Sequence, residues 1–217
     1  MWLPLEEGHE MKVTRPNVHM LSCTQQSARL IEMAGRTAYK SEDKITDDSA
    51  DKFVEMIRKR GHESVIEHSY ATFRIVTDRG ITHEIVRHRL ASYTQESTRY
   101  CNYSKDKFGE EITVIAPYGV VQSNPSSGYA VWKQACEEAE TRYFELIREG
   151  CAPQIARSVL PTCLKTEIVM TANFREWLHF LRLRTAPAAH PDMVVIAKDI
   201  GAILAHECPA VFGKYGL

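Results

Sequence analysis

Residues 129–150, YAVWKQACEEAETRYFELIREG, place Trp132, Cys136, Ala139, Tyr143 and Ile147 on one stripe at helical spacing and end on Gly150. A helix with such a stripe must bury it against another element. Three runs with β-branched and aromatic character supply one: HSYATFRIV (68–76), EEITVIAP (110–117) and LKTEIVM (164–170) read as strands. Further helices are predicted over 23–40, closed near Gly35, and from Asp48 to Gly61, with Asp51 in the cap and Phe53, Met56 and Ile57 inward. Others run over APQIARSVL (152–160), closed by Pro161, and over NFREWLHFLRLR (173–184), where Asn173 and Glu176 form a capping box. A last helix starts at Pro191 with Val194, Ala197, Ile200 and Leu204 inside. SEDKITDDS (41–49) and QSNPSSG (122–128) are loops, GHESVIEH (61–68) is too polar to be core throughout, and DRG (78–80) is a turn. From Ile81 a helical period runs through Ile85, Val86 and Leu90, with His83, Arg87 and His88 off the apolar side, and gives out at Ser92. The expected fold is α+β, a central and mostly antiparallel sheet wrapped by long helices, in a single domain over 1–217.

Lys and Arg total 27 against 28 Asp and Glu, so no bulk positive field draws nucleic acid without sequence preference. Any anion site must be local. No apolar run is long enough to span a bilayer, and the start, MWLPLEEGHEM, lacks the apolar segment of a signal peptide. The six cysteines show no CxxC pairing, which points to reduced, structural thiols in a cytoplasmic protein without a membrane partner.

RHRLASYTQESTRY (87–100) sets Arg87, Arg89 and Arg99 among Ser92, Tyr93, Thr94, Gln95 and Ser97. Guanidinium forks suit phosphate oxygens, and hydroxyls complete an anion cradle. A helix end decorated with solvated arginines accounts for the same residues. Arg157 lies between Ile155, Ala156, Val159 and Leu160 and needs a partner, either a carboxylate or a ligand anion. Arg175, His179 and Arg182 share one helix face, while Arg184 lies nearer the side of Trp177 and Leu181. His62 and His68, and His83 and His88, lack the spacing of a same-face ligand pair, so no metal is expected. There is no GxSxG elbow, GxGxxG or P-loop, and Cys163 is the least unlikely thiol nucleophile, although a small buried side chain explains it better. Residue chemistry alone leaves a nucleotide or polyanion site with its reaction open. A non-enzymatic RNA- or nucleotide-binding module that stacks bases on Tyr93, Tyr100 and Tyr103 is a rival reading.

Four ordered segments carry a resemblance: GHESVIEH (61–68), Arg87-His88-Arg89 followed after seven residues by Ser97, IARSVLP (155–161), and NFREWLHFLRLR (173–184). Together they resemble the flavin-dependent thymidylate synthases. The resemblance implies a methyltransferase that converts dUMP to dTMP, with 5,10-methylenetetrahydrofolate as carbon donor, FAD as hydride source and NADPH as its reductant. It implies no cysteine nucleophile, no stable nucleic-acid partner, and a homotetramer with active sites shared between subunits. Carried over, His62, Ser64, Arg87, His88, Arg89, Gln95, Asn173, Arg175 and His179 would bind cofactor. Glu84, Arg87, Gln95, Glu96, Ser97, Thr98, Arg99, Arg157 and Arg184 would surround dUMP, Arg184 being the catalytic cation facing the uracil. Glu84, Gln95, His179 and the segment TAPAAHPDM (185–193) depart from the family's common pattern.

Overall fold

The computed structural model describes residues 11–104, 111–119 and 128–216. The calls on the N-terminal residues through 10, on most of QSNPSSG and on residue 110 lie outside them. The chain forms two compact units, each assembled from separate stretches.

One unit comprises the N-terminal stretch to Asn17, Val76–Val86 and Thr94–Ile168. In it β1 (Lys12–Thr14) pairs in parallel with β5 (Thr113–Ile115), Val13 opposite Val114. The long helix α4 (Gly128–Arg148) buries Cys136 and Tyr143, and these pack with Ile112, Val114, Ala156 and Leu164. Gly150 follows with φ +88, the left-handed conformation that stops the helix. The expected helix over 152–160 is shorter: α5 (Pro153–Ala156) passes into a 3-10 turn over Arg157–Val159. Cys136 and Cys163 bring their sulfurs to 3.4 Å as free thiols. The hydrogen bond and burial together push the Cys136 pKa up, so that thiol stays protonated.

The other unit comprises Val18–Ile75, Arg87–Tyr93 and Val169–Leu217. Trp177 anchors it, packing edge-on to Phe73 at 5.1 Å and donating its indole N–H to the Ala71 carbonyl. Helix α7 (Pro191–Glu207) buries Met193, Ile196, Ala197, Ile200 and Leu204, with Val194 only half-buried. Helix α8 (Pro209–Phe212) adds Phe212, which packs on Phe174 at 5.0 Å.

The four-stranded sheet has the order β2-β3-β6-β4, from β2 (Asn17–Cys23), β3 (Tyr70–Asp78), β4 (Ala91–Gln95) and β6 (Lys165–Asn173). Phe174 N–H donates to the Ser69 carbonyl while the Thr72 and Thr171 hydroxyls meet at 2.9 Å. Residue numbers rise on one strand as they fall on the other, so β3 and β6 are antiparallel. The alternate residues Thr166, Ile168, Met170 and Ala172 of β6 are buried, the period-two pattern of a strand. The fold is α+β with an antiparallel sheet, as expected.

Two local expectations fail. DRG is a helix start: the Asp78 carboxylate accepts from Ile81 N–H and caps α3 (Arg79–Ile85). That helix stops at Ile85, leaving Val86 40% and Leu90 76% exposed while His88 is buried. The chain then enters β4, so the arginine-rich stretch continues as a strand where a loop was expected.

Gly35 does not stop α1 (Ser27–Thr37), which runs two residues beyond it. It lets the Phe53 ring of α2 (Ser49–Lys59) approach: a Cβ on Gly35 would lie 2.6 Å from Phe53 Cε1. Gly35→Ala is therefore expected to destabilise the protein in urea unfolding despite better helix propensity, by about 1 kcal/mol, since overpacking costs about 1–3 and propensity returns about 1. In a Phe53→Ala background the same change should stabilise, by about 0.5–1 kcal/mol.

Candidate active site

Helix α6 (Phe174–Arg184) starts where β6 ends. The Asn173 side chain accepts from Glu176 N–H at 2.9 Å, the cap that the sequence predicts. The reciprocal half of a capping box is absent, because the Glu176 carboxylate turns to His88. His88 Nδ1 lies 3.1 Å from Glu176 Oε1, and Arg184 Nε donates to His88 Nε2 at 3.0 Å. His88 is 4% exposed and Glu176 6%. Phe180 and His179 flank the imidazole at centroid distances of 4.8 and 5.5 Å. Tyr93 donates its hydroxyl to the His88 carbonyl at 2.6 Å, and burial plus the Glu176 charge push the Tyr93 pKa up to about 12, so it remains a donor.

Arginine donates and never accepts. His88 Nε2 must therefore carry a lone pair, and a neutral imidazole then has its proton on Nδ1, facing Glu176. Burial lowers the His88 pKa most; the Glu176 hydrogen bond opposes this, and the Arg184 charge reinforces it. The result is a charge-balanced set: carboxylate, neutral ring, guanidinium.

The remaining candidates of this unit fall into three situations. Arg87 and Arg89 are exposed and make no hydrogen bond or ion pair among the described residues. Arg175 is held by Glu67 and by Glu63, the latter at 3.6 Å, and Arg182 donates to His179 Nδ1 at 2.9 Å. His62 and Ser64 line an open cavity of about 820 Å³, together with Arg36, Tyr39, Lys44 and Arg60. Basic and aromatic side chains in its lining, which also holds Asp48, suit an anionic cofactor.

The candidates in the other unit form a second group. Arg157 donates to the Thr98 hydroxyl at 2.8 Å, so where a carboxylate or ligand anion was expected, the partner among the described residues is a threonine. Gln95 donates from its amide to Thr82 and Thr166, at 3.0 and 3.3 Å. Glu96 pairs with Lys165 at 3.3 Å. The Ser97 carbonyl accepts from Tyr100 and Cys101 N–H, its hydroxyl accepts from Arg99 N–H, and the exposed Arg99 guanidinium lies 5.5 Å from the Tyr100 ring centroid. Glu84, on α3, is half-buried.

His88, Glu176 and His179 bring ligand-type atoms within 4.8 Å of one another, a cluster that the histidine spacings do not announce. Both His88 nitrogens and His179 Nδ1 are already engaged, two of them by guanidinium cations. A metal ion would have to displace Arg184 and Arg182. Glu176 was legible only as a cap. Its spacing to Phe180 and Arg184, four and eight residues on, puts all three along one helix face and was the available signal.

The model of the family described as thymidylate synthase complementing protein matches residues 19–210. The chain belongs to this family. It is 35% identical over 171 residues to a flavin-dependent thymidylate synthase of Pyrococcus furiosus, covering 78% of this chain and 68% of that one. It is 30% identical over 206 residues to the flavin-dependent thymidylate synthase of Geobacter sulfurreducens, covering 92% and 86%. Its fold is similar to the UMP/dUMP methylase PolB of Streptomyces cacaoi, solved with 5-Br dUMP, with a TM-score of 0.80 and 23% identity over 94% of this chain and 96% of that one. Among the described residues, no helix is long and apolar enough to cross a membrane.

His88 yields a pH prediction. Its folded pKa lies below the ordinary 6.5, so the unfolded chain binds more protons as pH falls through that value. Stability is thus full above about pH 6.5 and declines below it, until the lowered folded pKa is passed. Urea unfolding of flavin-free protein at pH 7.5, 6.5 and 5.5 should show this loss, and His88→Gln should flatten it.

Proposed function

We propose that the chain, 1–217, acts as one catalytic domain that methylates dUMP to dTMP, with the one-carbon unit from 5,10-methylenetetrahydrofolate. The uracil ring carbon loses a proton, and the methylene carbon must gain a hydride to become methyl. FAD, reduced by NADPH, supplies that hydride when bound. The assembly is a cytoplasmic homotetramer whose active sites draw on more than one subunit, with no stable nucleic-acid partner. The observation that carries this reading is the family match across residues 19–210. The geometry around Arg184 supports it.

Arg184 faces the uracil in this reading. Its Nε is committed to His88, so the guanidinium has a fixed origin. A cation held in place before reaction stabilises negative charge developing on the pyrimidine without reorganising. Arg157, Arg99, Ser97 and Gln95, with Glu84, Glu96 and Thr98, hold the nucleotide. The Thr98 hydroxyl orients Arg157, and Lys165, shared with the nearer Glu167, offsets part of the Glu96 charge that would otherwise repel a phosphate. Arg87 and Arg89 are available for cofactor phosphates, His62 and Ser64 stand at the cavity wall, and Asn173, Arg175, His88 and His179 present donors and rings from the start of α6 and the turn facing it. This reading gives no thiol a role: of the close pair, Cys136 is kept protonated, and its hydrogen bond lowers the pKa of Cys163.

A second reading, action on UMP as well, takes its motive from the similarity of fold to PolB, a UMP/dUMP methylase. Anaerobic incubation of flavin-loaded protein with methylenetetrahydrofolate, NADPH and either nucleotide separates the two. Thymidylate from dUMP alone is expected; no product from either would refute both. Arg184→Ala should lower turnover by on the order of 100-fold while FAD content after gel filtration stays near wild type. Equal loss of both would reassign Arg184 to cofactor binding or folding.

A further inference from the structure

We propose that Glu176 is a positioning residue for this reaction: it accepts the Nδ1 proton of His88, leaves Nε2 as an acceptor, and so fixes the Arg184 guanidinium. The proposal rests on the role of Arg184 given above. Three features of the site carry it. Glu176 is buried, and its carboxylate reaches the imidazole at 3.1 Å. The opposite ring nitrogen is the one that Arg184 Nε touches, at 3.0 Å. The ring is boxed by Phe180 and His179 and its carbonyl is tied by Tyr93, so rotation does not readily exchange the two nitrogens.

A neutral imidazole offers one donor and one acceptor, and the hydrogen bond on one side decides which nitrogen serves the other. Without an acceptor at position 176, a buried Nδ1–H is left unpaired, which costs more than an ordinary hydrogen bond gains. Moving the proton to Nε2 relieves that cost but sets N–H against the Arg184 N–H. Protonating the ring has the same effect. In each case Arg184 Nε loses its hydrogen bond to His88. Packing alone does not call for a carboxylate here, since buried charge is costly unless paired. The carboxylate is itself well seated, in the first turn of a capped helix with its backbone N–H on Asn173.

The test uses wild type, Glu176→Leu and Glu176→Gln. In flavin-free protein with 15N-labelled histidine, two-bond proton–nitrogen NMR reads which His88 nitrogen carries the proton, and needs neither substrate nor activity. The wild type should show it on Nδ1, and Glu176→Leu should move it to Nε2 or render His88 mobile. In flavin-loaded protein, Glu176→Leu should lower kcat roughly 10- to 100-fold, the range for loss of a partner that orients a functional histidine. KM for dUMP and bound FAD should change little. Glu176→Gln, whose amide oxygen still accepts, should recover most of that kcat. A wild-type proton on Nε2, or full kcat in Glu176→Leu, would overturn the proposal. If Glu176→Leu fails to fold, the wild-type spectrum and Glu176→Gln decide alone: kcat depressed as deeply as in Arg184→Ala would count against positioning through the acceptor. Should wild type make no thymidylate while the proton sits on Nδ1, the reaction assigned to the chain fails but the Glu176–His88 hold stands.

Discussion

A buried imidazole wedged between a carboxylate and a guanidinium has one protonation pattern that satisfies all three groups. The contacts among His88, Glu176 and Arg184 fit that pattern, and much of the surrounding structure holds the three in place. Buried polar atoms must be paired, and the cost of leaving one unpaired exceeds the gain from an ordinary hydrogen bond. Asn173 therefore caps α6 at the turn that bears Glu176, and Trp177, the next residue, locks the helix against Ala71 and Phe73. Arg184 then ends the same helix, where a cation is favoured by the helix dipole.

The residues proposed to hold the nucleotide follow a different logic. There the polar side chains are tied to hydroxyls and amines: Arg157 to Thr98, Gln95 to Thr82 and Thr166, Glu96 to Lys165. Such bonds fix side chains without using up a guanidinium's charge. Among the described residues Arg157 meets a neutral hydroxyl and no carboxylate, which suits the phosphate contact proposed for it.

The sequence was most informative where a single period had no competitor. The stripe of α4, the alternation of β6 and the Asn173 cap were all readable, because each is a local pattern whose burial is decided by its own spacing. His88 was placed on the wrong side for the opposite reason. The apolar spacing of Ile81, Ile85 and Leu90 continues past the point where α3 ends, so periodicity carried His88 outward while its partners on α6 drew it in. The strand β4 alternates half-buried with exposed residues but buries none fully, and its mostly polar sequence, ASYTQ, shows that alternation only weakly. Glu176 presented two valid local meanings, a cap and a carboxylate two turns before Arg184, and only the position of His88 chooses between them. Gly35 likewise read as a stop, since its reason for being glycine lies on α2.

Family membership gives this arrangement a reaction, and in the proposed reading the triad supplies that reaction with a held cation. The most direct measurement follows from atom balance: adding a methyl group to the uracil ring must expel the hydrogen at the carbon that receives it. With dUMP tritiated at that carbon, flavin-loaded protein should release tritium to water in step with thymidylate, only when methylenetetrahydrofolate and NADPH are both present. Tritium retained in the nucleotide under those conditions would contradict the account.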